Sequence, residues 1–113
     1  MNLKHHKNLT IEKWRVFSFG KQIVMIASEL NRAKNWIIRN DIAEAKLCYE
    51  RAFELLYLTI ACATKRTRRF ELCRFKELLA GLYINKMPSL EKNTPLYIVL
   101  LSLSRESFAL LKP

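Results

Sequence analysis

The chain has 113 residues, half of them apolar and 27% charged, with a formal net charge of +10. That length supports one domain with one hydrophobic core, able to bury about two-thirds of the unfolded chain's surface. Two glycines and three prolines are too few for the many turns of an all-β protein, so the composition points to an all-α fold of about four long helices with few connections.

The opening stretch MNLKHHKNLTIEKWR carries charge but lacks the apolar segment of a secretory signal. The longest apolar runs, AFELLYLTIACAT and PLYIVLLSLS, are too short to span a bilayer. A soluble, cytoplasmic protein with no membrane partner is the expectation. Cys48, Cys62 and Cys73 follow no C-x-x-C spacing. On one helix Cys48 and Cys62 would stand about 21 Å apart at 1.5 Å per residue, far beyond the roughly 7 Å that a disulfide allows between Cα atoms. All three read as small, buried apolar side chains.

Residues 1–9 read as a polar, frayed arm. Thr10 is a fitting N-cap for a short helix reaching Phe17, with Glu12 in its first turn, and a bend is expected near Gly20. From Gly20 to Arg39 the apolar positions Ile23, Ile26, Ala27, Leu30, Ala33 and Ile37 recur at spacings of three and four, one face of a helix. Asn40 can end that helix in a left-handed conformation. Asp41 then caps the next helix, with Glu44 three residues on as in a capping box. That next helix carries Ala45, Cys48, Tyr49, Ala52, Leu56 and Ile60 on one side. Its later half is apolar nearly all round, which places it at the centre of a bundle or at a subunit interface.

A break is expected within ATKRTRRF, where Thr64 and Thr67 are weak helix formers; the rival is one continuous helix over 41–84. Basic residues are disfavoured at a helix start, so the cluster is expected at the end of the preceding helix. Leu72, Phe75, Leu79 and Leu82 form the stripe of a further helix over 69–85. NKMPSLEKNTP reads as a loop, and Thr94 with Pro95 as the start of a last helix. That helix would run to about Leu111, with Leu96, Leu100, Leu103 and Leu110 on one face and Leu101, Phe108 and Leu111 beside it. Short turns between such helices favour an antiparallel, up-down-up-down bundle.

The hairpin within residues 29–57 resembles one tetratricopeptide unit. Ala33 and Trp36 match the small and aromatic residues of its first helix, Asn40–Asp41–Ile42 resembles its turn, and Ala45, Tyr49 and Ala52 match its second helix. Glu29, Arg32 and Tyr57 depart from the pattern, and the match occurs once. Repeat arrays typically need three or more units, so the resemblance implies close helix packing and no peptide-binding array.

Catalytic chemistry has little to stand on. His5 and His6 are adjacent and lie outside the expected folded region, without the spacing of a metal site. No glycine-rich phosphate loop is present. Glu29 and Arg32, and Glu54 and Arg51, are three residues apart and so share a helix face, which reads as ion pairing at the bundle edge. No enzyme, cofactor, metal or small-molecule substrate is inferred.

The charge distribution is more informative. Residues 1–22 carry a net +4, residues 23–64 zero, residues 65–76 +5 and residues 77–113 +1. Two short segments therefore hold nine of the ten excess charges, the footprint that an anionic partner needs. Lys65, Arg66, Arg68, Arg69, Arg74 and Lys76 are the candidate phosphate contacts. Phe70 is a candidate to stack on unpaired bases, while Phe75 fits the core stripe. Two readings result. The first is a non-enzymatic, self-associating helical interaction module, a homo-oligomer contacting its partner through Phe53, Leu55, Tyr57, Leu58, Leu101 and Phe108. The alternative is a small basic protein that binds RNA or DNA through the 65–76 segment.

Overall fold

The computed structural model describes residues 3–84 and 90–104, and every regular element among them is an α-helix. In chain order these are α1 (Ile11–Arg15), α2 (Phe19–Ile38), α3 (Ile42–Cys62), α4 (Arg66–Tyr83) and α5 (Leu90–Leu101). No helix among the described residues is long and apolar enough to cross a membrane.

Local capping chemistry sets the first boundaries. Thr10 Oγ1 accepts the Lys13 N–H at 3.2 Å and opens α1. Ser18 Oγ accepts the Lys21 N–H at 3.2 Å and opens α2, so the break falls before Ser18. Gly20, expected at the bend, is instead a buried residue of the first turn of α2. At the other end Asn40 adopts φ 62°. Its N–H donates to Ile37 O at 3.0 Å and the Asp41 N–H donates to Trp36 O at 2.9 Å. These two bonds make a Schellman motif, which satisfies carbonyls that the helix end would leave open. The Asp41 carboxylate then accepts the Glu44 N–H at 3.2 Å and starts α3.

Packing follows from residue size. Ala27, Ala33, Ala45 and Ala52 are fully buried, and small residues of this kind let two helix backbones approach closely. α3 is the central element, with α1, α2 and α4 packed on it, while α5 packs against α2 and α4. The nearly all-round apolar half of α3 is thereby used inside the chain: Leu55, Leu56, Leu58 and Thr59 are all buried. The result is a helical bundle with one core cluster.

Three expectations are corrected. α3 and α4 are separate helices, with the break inside ATKRTRRF as expected, because Ala63 and Lys65 are extended at ψ 125° and 131°, but the basic cluster opens α4 where it was expected to close the preceding helix. α5 starts at Leu90, so Pro95 lies inside it and Thr94 does not cap it. The reason is tertiary. Asn93 is buried, accepts the Tyr49 hydroxyl at 2.8 Å and donates to Leu30 O at 3.3 Å. This anchors the first turn of α5 to α2 and α3, ahead of Pro95, which lacks the N–H for one helical bond. α5 ends at Leu101; Phe108, Leu110 and Leu111 lie outside the described residues.

The third correction concerns the arm. From Leu3 onward it is docked on α3. Glu54 accepts the Lys4 N–H at 2.9 Å, the His5 N–H at 2.9 Å and the His6 N–H at 3.0 Å. His6 Nδ1–H donates to the same carboxylate at 2.8 Å, and His5 Nε2–H donates to Glu50 at 3.1 Å. Leu3 is buried beneath this strap. An acidic side chain on a helix can gather consecutive backbone donors into a nest, and here that outweighs fraying.

Candidate nucleic-acid interface

Buried polar contacts set the position of the first basic segment. Trp14 is fully buried, and its Nε1–H donates to Thr59 Oγ1 at 2.9 Å. The Thr59 hydroxyl donates to Leu55 O at 2.7 Å. Gln22 Nε2 donates to the Trp14 and Phe17 carbonyls at 3.1 and 3.2 Å. Together these bonds clamp α1 and the turn into α2 onto α3. They leave Arg15 exposed and fix where the Phe19 ring lies.

The second basic segment opens α4. Its N-cap, Lys65, makes no side-chain capping bond, so the first-turn N–H groups carry their partial positive charge beside several cations. Two of the arginines reduce that conflict. The Arg68 guanidinium lies 3.9 Å from the Phe19 ring centroid, a cation–π contact. Arg69 Nη2 donates to Ala63 O at 2.8 Å, at the C-terminal end of α3, where the helix dipole favours a cation. Arg68 and Arg69 therefore have structural roles that the sequence alone did not reveal. Lys65, Arg66, Arg74 and Lys76 are exposed, and none is paired with an acid of the described residues.

The fold brings the two basic segments together. Arg15 and Arg68 line one crevice of about 140 Å³ with Phe19 between them and Thr59 at its floor. Lys65 and Arg68 line a second, of about 190 Å³, on whose margin Glu71 supplies the acid. The Phe19–Arg68 contact is common to both. Of the first segment's cations, Arg15 lines the first of these crevices, whereas Lys4 pairs with Glu50 at 3.8 Å, Lys7 lies in the crevice beside the arm and Lys13 donates to Asn8 O.

The residues expected to form a self-association face are placed differently. Leu55, Leu58 and Leu101 are buried inside the chain. Phe53 is half-buried and meets Tyr83 edge-on at 5.7 Å. Tyr57 is exposed, and Phe108 lies outside the described residues. Tyr57 alone among the five described residues is exposed.

The acidic residues are also rearranged. Arg51 does not pair with Glu54. Its Nε lies 3.3 Å from both oxygens of Glu29 across the helix pair, and Arg32 approaches the same carboxylate at 3.4 Å. Of the three cysteines expected to be buried, Cys48 is buried, Cys62 is half-buried and Cys73, off the core stripe of α4, is exposed; Arg51 Nη2 donates to Cys48 Sγ at 3.2 Å. Burial pushes the Cys48 thiol up, against the lowering influence of Arg51, which leaves it a poor nucleophile at neutral pH. Glu54 is held below the ordinary carboxylate range. Burial works in the other direction, but the His5 N–H and the His6 ring and N–H outweigh it. No group of His, Cys, Asp and Glu among the described residues is placed to hold a metal ion. A crevice of about 540 Å³ between the arm and α3 is lined by Leu3, Leu9, Ile11 and Leu58 with one lysine and one glutamate, Lys7 and Glu12, and it has no convergent set of reactive groups.

Comparison with known proteins finds no matching family model, no matching curated protein and no matching solved structure.

Proposed function

We propose that this protein is a non-enzymatic nucleic-acid-binding module that engages backbone phosphates. The observation that carries the reading is the contact of Phe19 with Arg68, 3.9 Å apart, which sets Arg15 of the first segment in one crevice with the second. Charges dispersed over a surface raise solubility; charges gathered from distant parts of a chain create a field that attracts a polyanion. Lys65, Arg66, Arg74 and Lys76 supply the contacts on α4, and Arg15 supplies one from α1. Arg68 and Arg69 hold the surface in shape. Self-association has less support, because most of the apolar residues proposed for it are already packed within one chain.

In this reading the four longer helices form an antiparallel bundle, and the tetratricopeptide-like spacing of residues 29–57 reflects close packing of α2 on α3. The location we propose is cytoplasmic, where nucleic acid is available and three unpaired thiols remain reduced. The test is titration of labelled RNA and DNA oligonucleotides at 50 and 200 mM salt. With about five phosphate contacts, affinity should fall by roughly two to three orders of magnitude over that range. Absence of binding at 50 mM salt overturns the reading.

A further inference from the structure

We infer that the ligand is a single strand, with one unpaired base seated on Phe70. This rests on the phosphate-binding reading and adds the class of nucleic acid to it.

Phe70 is 66% exposed. It points away from the core stripe of its own helix, where Leu72, Phe75, Leu79 and Leu82 are buried. The other phenylalanine rings with a named partner are used internally: Phe17 meets Trp14, Phe53 meets Tyr83, and Phe19 carries Arg68. Phe70 makes no comparable ring contact among the described residues. An aromatic side chain left in water forgoes the burial that normally stabilises it.

Its neighbours give that exposure a chemical direction. Arg66 and Arg74 stand four residues before and after it, so the three share one helix face. Both are exposed and neither is paired with an acid of the described residues. The stripe Arg66–Phe70–Arg74 spans about 12 Å of helix at 1.5 Å per residue. A cation, a π-face and a cation in that order match a phosphate, a base and a phosphate of one strand. Base–aromatic stacking tolerates any sequence because every base has a π-face. A duplex offers no such face, since its bases are stacked on one another and only their edges and the backbone are accessible. Phe70 therefore contributes to single-strand binding and nothing to duplex binding. The stripe ends at Glu77, one turn beyond Arg74, where a strand would meet a like charge and turn away.

The experiment compares the native protein with Phe70→Leu and Phe70→Trp. Leu keeps an apolar side chain without a π-face, and both changes sit at an exposed position that leaves the core untouched. Anisotropy titrations at 50 mM salt use a single-stranded DNA, a single-stranded RNA and a duplex DNA of equal length. The native protein should favour both single strands. Phe70→Leu should weaken them by about 5- to 140-fold, with an unchanged salt slope and unchanged duplex affinity. Phe70→Trp should keep native affinity and show indole quenching on single strands only. If Phe70→Leu binds single strands as the native protein does, the inference is wrong. It is equally wrong if single strands and duplex weaken together. Either result leaves the phosphate reading standing, whereas no binding of any oligonucleotide by the native protein removes that reading and this one with it. If Phe70→Leu and the native protein both bind an acidic protein or anionic vesicles in preference to all three oligonucleotides, the partner is not a nucleic acid and the inference is overturned.

Discussion

Replacing Glu54 with Ala should release the amino-terminal arm while leaving the bundle folded. The carboxylate gathers three backbone N–H groups and one imidazole N–H at 2.8 to 3.0 Å. Charge-assisted hydrogen bonds contribute about 1.5–3 kcal/mol each, and the low end applies here because Lys4 is exposed. Burial of Leu3 adds about 2 kcal/mol. Ordering the six residues from Leu3 to Asn8 costs roughly 1–2 kcal/mol each. A gain of about 8 kcal/mol and a cost of about 6–12 kcal/mol nearly cancel, so docking contributes at most about 2 kcal/mol net. Global stability by urea unfolding should therefore fall by no more than that, with a slightly smaller denaturant dependence. Hydrogen exchange should change far more: the amides of Lys4, His5 and His6, protected in the native protein, should exchange at the rate of an unstructured peptide. Native-like protection of those amides in the Ala variant would refute the strap.

The same strap gives a pH dependence. Glu54 and Glu50 are both held below the ordinary carboxylate range, Glu54 by the donors of the arm against the effect of burial, Glu50 by bonds from His5 and Tyr83. Their contribution is complete above the unfolded value near pH 4.3 and is lost as pH falls through the lower folded values, so arm amides should lose protection in acid before the core amides do. Ala33→Leu and Ala52→Leu should each overpack the α2–α3 contact by about 1–3 kcal/mol, read as a shift in urea midpoint; two unchanged midpoints would contradict the close approach. Arg51→Met should strand Glu29, whose side chain is 6% exposed, at a cost of roughly 3 kcal/mol tempered by Arg32; an unchanged midpoint would show that Arg32 alone suffices.

What could be read from the sequence was local. Asn40, Asp41 and Glu44 are neighbours, and their conformational preferences gave the hairpin before any tertiary contact was known. The stripe Leu72, Phe75, Leu79 and Leu82 needed only helical periodicity. Most of the misread features depend on partners far along the chain. Glu54 binds His6 across 48 positions, Asn93 reaches Leu30 across 63, and Arg68 meets Phe19. Ser18 was within reach as a capping residue, but Lys21 stands where a capping box would place an acid, and Gly20 was the louder signal. For the candidate site, charge clustering located both basic segments. It could not show that they meet, nor that Arg68 and Arg69 are held in place while Arg66 and Arg74 are not.

The central claim is that phosphates are bound on one particular surface, and a matched pair of charge-removal variants tests it most directly. Arg66→Gln with Arg74→Gln removes two cations from the α4 face. Lys34→Gln with Lys92→Gln removes two exposed cations from elsewhere. Both lower the net charge by two, so any general attraction falls equally. The measurement is the slope of log affinity against log salt for one single-stranded oligonucleotide. The α4 pair should flatten the native slope by about 1.4 units, and the control pair should leave it within about half a unit. Equal slopes for the two variants would mean that binding follows net charge alone, and that the Arg66–Arg74 face of α4 has no part in it.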